Sequence, residues 1–236
     1  MEKARLDKII AGEGTYSRRE VRLLVRQGRV LVDGVPARSP EDKVVPEAVE
    51  IMVDGTVLHC RRYTWIMLHK PAGVLSATED GRGATVLDLL PPELRRRGLF
   101  PVGRLDKDTE GLLLLTNDGP LAHALLAPGR HVDKVYYVEV DGRLDQQDRR
   151  AFQAGVTLAD GTVCQPADLT VLDPPSQGLV TLREGKYHQV KRMLAARGKP
   201  VTYLKRLSMG PLTLDPALPA GAWRPLTPEE KASLGR

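Results

Sequence analysis

The pattern of apolar positions divides the chain into a helical start and a longer part made mostly of short strands. Apolar residues at helical spacing predict a first short helix over residues 3–11. Ser17 and Glu20 have the spacing of a capping box, which predicts that a second helix begins there and runs to about Gln27. Two extended pieces joined by an Asp-Gly turn follow at 29–37. The start of the chain is therefore predicted to be two helices and a small sheet.

The remainder of the chain, from residue 64 onward, alternates short apolar runs with turn residues. Leu112 to Leu115 is an unbroken leucine run between Gly111 and an Asn-Asp-Gly turn, which predicts a short buried strand. Residues 135–140 predict a strand that carries Tyr136 on one face together with two valines. A helix is predicted over 187–197. Many short strands with few helices between them indicate a mixed, mostly antiparallel central sheet flanked by helices.

These patterns predict an α+β fold in two domains. We place a small domain at residues 1–58 and a larger one at 64–236, with a linker at 59–63 where the apolar patterning breaks. A chain of 236 residues has room for both, and each can bury a core of its own.

The chain is basic, and its charge is unevenly distributed. The formal charge is +5 and the pI is about 9.3. Residues 1–29 hold eight Lys/Arg against four Asp/Glu, and residues 183–206 hold eight against one. Arg18, Arg22 and Arg26 fall at four-residue steps, so they form one basic stripe along the second predicted helix. Two basic clusters favour a polyanionic partner, although surface lysines and arginines alone would support nucleic acid only modestly.

The cysteines and the N-terminus indicate a cytoplasmic protein. Cys60 and Cys164 are isolated from each other, which fits neither a disulfide framework nor the spacing of metal ligands. The N-terminus is charged and no long apolar stretch follows it, so we predict neither a signal peptide nor a membrane-spanning helix.

An acidic segment enters the leucine run. Asp106, Asp108 and Glu110 stand at alternate positions between Gly103 and the buried strand. In an arbitrary loop such carboxylates are usually solvated surface charges. Beside a core, desolvation and a chosen cationic partner would instead decide their protonation state, which makes them candidates for chemistry.

Four motifs in a fixed order make this chain similar to RsuA-type ribosomal RNA pseudouridine synthases. They are Gly103-Arg104-Leu105-Asp106 continuing through Asp108-Thr109, Gly111-Leu112 and Thr116-Asn117-Asp118-Gly119; His69-Lys70-Pro71-Ala72-Gly73; Asp133-Lys134-Val135-Tyr136; and the run from Glu184 to Met193. The resemblance covers nearly the whole chain, and the start of the chain resembles the RNA-binding domain of ribosomal protein S-four.

The resemblance implies the roles of individual residues. Asp106 matches the family's catalytic aspartate, Lys191 the basic residue that pairs with it, and Tyr136 the tyrosine that stacks on the target base. Because a flipped uracil loses its stacking partners, an aromatic platform would replace them. RNA binding is assigned to Arg18, Arg22, Arg26, Lys70, Arg104, Lys134 and Arg192.

The implied activity is conversion of one uridine to pseudouridine in ribosomal RNA, by a monomer that uses no metal or organic cofactor. The run from Val201 to Leu212 is more similar to enzymes that act on small-subunit (16S) RNA than to those that act on large-subunit (23S) RNA. Two other functions stay open: a ribosome-assembly factor that only binds RNA, and a nuclease in which the three alternating acids bind Mg²⁺. The nuclease is less favoured, because no second acidic cluster with histidine stands out in the sequence.

Overall fold

The computed structural model describes residues 3–58, 63–127 and 132–235. By its internal contacts the chain forms two compact units, one of residues 1–64 with 90–100 and one of 65–89 with 101–236. Segment 90–100 thus groups with the first unit, although the sequence had placed it in the second. The domain limits 1–58 and 64–236 stay a prediction, and most of the predicted linker lies outside the described residues.

The first unit consists of two helices, a third short helix and small sheets. Its elements are β1 Ala4–Arg5, α1 Leu6–Gly12, α2 Arg18–Arg26, β2 Val30–Val32, β3 Val35–Pro36, β4 Lys43–Val44, β5 Ile51–Val53, β6 Thr56–Leu58 and α3 Pro92–Arg95. β1 pairs with β4, and a four-stranded antiparallel sheet has the order β3-β2-β5-β6. The predicted capping box is confirmed: the Ser17 amide donates to the Glu20 carboxylate, and the Glu20 amide donates to the Ser17 hydroxyl.

The arginine stripe of α2 lies on the exposed side of this unit. The opposite face of α2 carries Val21 into a core shared with α1 and the four-stranded sheet. Arg18, Arg22 and Arg26 are all exposed. Beside them Asp7 is completely buried and accepts two hydrogen bonds from Arg5, which hold the pKa of its carboxyl below the ordinary value. Arg18 and Arg26 therefore direct their charge to solvent, while Arg22 Nε also lies 3.7 Å from the Asp7 carboxylate that Arg5 compensates.

The second unit is built on one large sheet. Its elements are β7 Trp65–Lys70, β9 Glu110–Thr116, α4 Gly119–Leu126, β10 Lys134–Val140, α5 Gln146–Ala154, β11 Asp168–Val171, β12 Gln177–Leu182, α6 Gln189–Ala196, β13 Val201–Met209, β14 Leu212–Thr213, β15 Trp223–Pro225 and α7 Pro228–Leu234, while β8 is Phe100–Pro101. The main strand order is β11-β12-β10-β13-β9-β7-β15. Along this order only β13 and β9 run parallel among the described residues, so the predicted mixed, mostly antiparallel sheet is confirmed.

In the middle of this sheet, two predicted site segments lie on strands that are separated by one strand. The leucine run forms β9 and is completely buried, as predicted. In β10 the residues alternate, so that Tyr136 shares a buried face with Val138 and Val140. β13 lies between β9 and β10 and pairs with both. The acidic segment that leads into β9 therefore emerges close to the strand that carries the tyrosine.

The helix predicted over 3–11 begins only at Leu6, because Ala4 and Arg5 pair with β4, and two later predicted elements also differ from the structure. The last predicted helix begins at Gln189 rather than at Tyr187, because His188 adopts a left-handed conformation with φ 49° and ends the preceding loop. At 156–164, the Asp160-Gly161 dipeptide between two short apolar runs predicts a hairpin, whereas the structure has the isolated bridge between Thr157 and Val163. In both later cases a turn lies where sequence periodicity suggested continuous secondary structure.

Gly111 allows β9 to approach β13, and we expect its replacement by alanine to destabilise the protein strongly. Its φ is 109°, and a Cβ there would lie 2.2 Å from the carbonyl oxygen of Arg206. The new methyl group would meet backbone that cannot move without breaking strand pairing, so the free energy of unfolding should fall by about 3 kcal/mol or more. Urea unfolding measures this, with Gly119→Ala as control because open space surrounds that position. Equal stability of the two variants would contradict the argument.

Candidate active site

Two buried polar side chains, Ser76 and Lys70, hold the acidic loop before β9 in place by hydrogen bonds. Ser76 donates from its hydroxyl to the Leu105 carbonyl at 2.8 Å and accepts from the Leu105 amide at 3.0 Å. Lys70, at the end of β7, donates to the carbonyls of Pro71, Lys107 and Thr109 at 3.0, 3.1 and 2.8 Å. The residues on both sides of Asp106 are therefore held by hydrogen bonds to buried groups.

Lys70, which the sequence assigned to RNA binding, is not accessible to RNA in this structure. Its side chain is completely buried, and all three ammonium hydrogens have carbonyl acceptors. Burial lowers the pKa of Lys70 to about 8, against the opposing attraction of Asp108, Asp106 and Glu110. A lysine followed by proline in a motif looks like a phosphate contact in sequence, but here it organises the loop.

Asp106 faces two cationic or hydrogen-bonding side chains from the start of α6. Its Oδ2 lies 3.2 Å from Lys191 Nζ, and its Oδ1 lies 3.5 Å from His188 Nε2. About 24% of the Asp106 side chain is exposed, so the carboxylate is neither sealed in the core nor free in solvent. A carboxylate can act as a nucleophile or base, and here it has an ammonium as its ion-pair partner.

The other two acids of the segment point to different partners. Asp108 is 74% exposed and accepts from Lys191 at 2.5 Å, and this bond holds the pKa of its carboxyl below the ordinary value. Glu110 accepts from the Tyr203 hydroxyl at 2.7 Å, and the pKa of that tyrosine is raised by burial and by the Glu110 bond. Asp106 and Asp108 thus share Lys191 as a partner, whereas Glu110 turns away from them to Tyr203. Among residues 3–58, 63–127 and 132–235, no group of three His, Cys, Asp or Glu could hold a metal ion.

Asp106 lines a cleft of about 690 Å³ within the second unit. Tyr136 and Lys134 from β10 form part of its wall, with Arg104 from the acidic loop. Lys134 donates to the Val132 carbonyl at 3.0 Å, and burial lowers its pKa. Arg104 is exposed and has no hydrogen-bond or ion-pair partner in the described part of the chain. A carboxylate, an aromatic ring and cations therefore surround one space large enough for a nucleotide.

These features coincide with the results of comparison to known proteins. The family model described as RNA pseudouridylate synthase matches residues 64–196, and the S4 domain model matches 4–49. A Bacillus subtilis (strain 168) protein named as an uncharacterized RNA pseudouridine synthase, YtzG, is 49% identical, with 96% of each chain covered. The Pseudomonas aeruginosa ribosomal small subunit pseudouridine synthase A is 44% identical, covering 98% of this chain and 100% of that one.

The chain belongs to the RNA pseudouridylate synthase family. A solved structure titled as a pseudouridylate synthase agrees in fold as well, with a TM-score of 0.70, 34% identity, and 98% and 99% of the two chains covered. The resemblance stated from the sequence is confirmed, and so are the α+β fold and the S-four-like start. The synthase is an isomerase. In the part of its chain that the structure describes, no helix is long and apolar enough to cross a membrane.

The remaining predicted RNA contacts lie in several places on the synthase. Arg18, Arg22 and Arg26 belong to the first unit, and none of them is among the residues that line the cleft. Arg192 follows Lys191 in α6, but its guanidinium pairs with Asp160 at 2.5 Å. The structure thus brings Asp106, Tyr136, Lys191, Arg104 and Lys134 together, whereas their roles in binding or chemistry stay predictions.

Sequence reasoning missed two cleft residues of the synthase, Arg206 and Tyr187. Arg206 is 2% exposed, donates from Nε to the Leu112 carbonyl at 2.8 Å, and stands opposite Tyr136 in the register of β10 and β13. Tyr187 projects at the rim beside His188. Arg206 lies in a strand whose burial does not alternate cleanly, so its sequence gives no signal. Tyr187 belongs to the motif from Glu184 to Met193, but the sequence placed it in a predicted helix and so did not indicate an exposed ring.

Proposed function

We propose that this synthase isomerises a uridine in small-subunit ribosomal RNA, with Asp106 as its catalytic nucleophile or base. The relative from Pseudomonas aeruginosa is named as a small-subunit pseudouridine synthase, and the match covers that relative's full length. The observation that supports the site most strongly is the placement of Asp106 between Lys191 and the cleft that Tyr136 lines. We further propose that the enzyme works in the cytoplasm, as a monomer and without a cofactor.

The proposed reaction rearranges bonds within one nucleotide. The bond from ribose C1′ to uracil N1 breaks, the base turns, and uracil C5 bonds to C1′. A proton leaves C5 and N1 takes one up, so substrate and product have the same atoms. Asp106 supplies the carboxylate, Lys191 pairs with it, and Tyr136 offers a ring on which the detached base can rest while it turns.

Loss of the C5 proton gives a direct test. Each ribosomal RNA is transcribed with uridine tritiated at C5, and released tritium is counted after incubation with the synthase. We expect release from 16S RNA, alone or in a small-subunit assembly particle, that stops at one tritium per RNA. Release from 23S RNA but not from 16S RNA would overturn the small-subunit assignment. Binding to both RNAs without release from either would favour the ribosome-assembly factor.

The arginine stripe on α2 is proposed to contribute affinity and no chemistry. Replacing Arg18, Arg22 and Arg26 together with glutamine should weaken RNA binding and reduce the salt slope of the binding constant by about two to three. The fold should persist, because Arg5 alone still compensates the buried Asp7 with two hydrogen bonds. Filter binding across a salt series measures the slope, with Arg149→Gln plus Arg150→Gln on α5 as a control for lost surface charge. An unchanged slope in the α2 variant would contradict this role.

A further inference from the structure

Tyr187 is a large aromatic side chain that the fold leaves in solvent. It is 72% exposed, although it belongs to a motif that lines the cleft. One side of its ring packs on His188, with centroids 3.8 Å apart and planes 18° from parallel. The same His188 ring reaches Asp106 at 3.5 Å. An exposed tyrosine therefore stands one side chain away from the candidate catalytic carboxylate.

The backbone that carries Tyr187 is held in place on both sides. His188 adopts the left-handed conformation, which turns the chain just before α6 begins. The Lys186 amide donates to the Gln189 side chain at 2.9 Å. Arg192 Nη1 donates to the Tyr187 carbonyl at 3.5 Å, and Nη2 of the same guanidinium pairs with Asp160. A ligand that contacts the Tyr187 ring thus meets a side chain whose position is already fixed, which lowers the entropic cost of binding.

The surroundings of Tyr187 indicate what that ligand is. Charged side chains line the rim of the same cleft: Arg183 pairs with Asp133 and Lys186 with Glu184, whereas Arg104 has no ion-pair partner among the described residues. An apolar protein segment would gain little from such a rim, whereas a nucleic acid strand supplies both phosphates for the cations and flat bases for the ring. Tyr136 cannot serve the same base, because it lies in the sheet at the cleft wall and only 9% of the residue is exposed.

We propose that the exposed face of Tyr187 is a stacking platform for a nucleobase that neighbours the target uridine in the RNA. This inference rests on the proposed function, since it takes the cleft beside Asp106 as the place of the target base. Tyr136 then contacts the target base inside the cleft, and Tyr187 with His188 beneath it holds the adjacent base outside. The arrangement keeps the RNA strand open at the point where one base has left its stack.

The test compares two short RNA probes of equal charge, hexauridylate and a hexamer of the same length in which every nucleotide is abasic. Tyr187→Leu should weaken hexauridylate binding about tenfold, the effect of losing one stacked base, and should leave binding of the abasic hexamer unchanged. Tyr187→Phe keeps the ring and should bind both probes as the wild type does. Because the side chain is exposed, neither variant should change the thermal unfolding midpoint.

The outcomes separate this inference from the proposed function. If Tyr187→Leu binds hexauridylate as tightly as the wild type, or weakens both probes equally, the stacking platform is overturned. If the probes behave as expected while the wild type releases no tritium from either ribosomal RNA, the platform stands and the proposed function fails. If tritium is released, Tyr187→Leu should also raise KM for 16S RNA with kcat nearly unchanged, because the ring is assigned to binding.

Discussion

Asp106→Asn is expected to reduce tritium release from 16S RNA by more than about a thousandfold, because the change removes the charge that a nucleophile or base requires. The substitution keeps the size of the side chain and its reach toward His188 and Lys191. RNA affinity should be preserved, since phosphate contacts by cations dominate it and the loss of one acid near them cannot weaken that attraction. Tritium release and filter binding on the same RNA measure the two effects.

Asp108→Asn is the matched control for this prediction. Asp108 contacts the same Lys191 and carries the same charge, but it is 74% exposed and is absent from the lining of the cleft. It should retain most of the activity. If the two variants lose equal activity, the charge of the segment matters and the assignment of one catalytic carboxylate is wrong. Wild-type turnover by Asp106→Asn would remove the cleft from consideration as the active site.

The parts of the fold that the sequence predicted correctly are those in which local signals and burial agree. The capping box at Ser17 and the leucine run of β9 each satisfy backbone groups or bury apolar area without reference to distant residues. The alternation of β10 likewise placed Tyr136 on a buried face. These elements needed no knowledge of which strands lie side by side.

The candidate site was less predictable, because groups that are distant in the sequence determine which partners its side chains have. Lys70 is a polar residue in a motif, and only the fold shows that three carbonyls from two different segments surround its ammonium. Glu110 shares the alternation of Asp106 and Asp108, but the parallel pairing of β9 with β13 carries its carboxylate to Tyr203. Periodicity along one segment cannot reveal partners that arrive across a sheet.

His188 illustrates the same limit at a helix boundary. A helix over 187–197 puts His188 and Lys191 one turn apart on a shared face, and both do approach Asp106 in the structure. They do so for a different reason, since His188 precedes the helix in a left-handed turn. A motif therefore located the right residues while its predicted secondary structure was displaced by two positions, which is also why the exposed Tyr187 was overlooked.

Lys191→Met is expected to lower the rate of tritium release by about a hundredfold to a thousandfold, which is typical for removal of one charged group that stabilises a reacting centre. Its ammonium is the only described cation within ion-pair distance of both Asp106 and Asp108, at 3.2 and 2.5 Å. Without it, Asp106 and Asp108 lose the ammonium that lies beside both carboxylates, so the reacting group loses the positive charge that orients and stabilises it. Single-turnover rates measured at saturating RNA separate this effect from weaker binding.

Lys191→Arg is the control, because it keeps the charge while changing the geometry, and it should retain much more activity than Lys191→Met. A second readout follows from Asp108, whose lowered pKa is attributed first to its bond from Lys191. A carboxyl with a lowered folded-state pKa stabilises the fold above its unfolded pKa and loses that contribution as the pH falls through the folded value. The stability difference between wild type and Lys191→Met should therefore be largest near neutral pH and shrink in acid. If Lys191→Met turns over 16S RNA at the wild-type rate, Asp106 does not depend on this ammonium and the proposed pairing has no catalytic role.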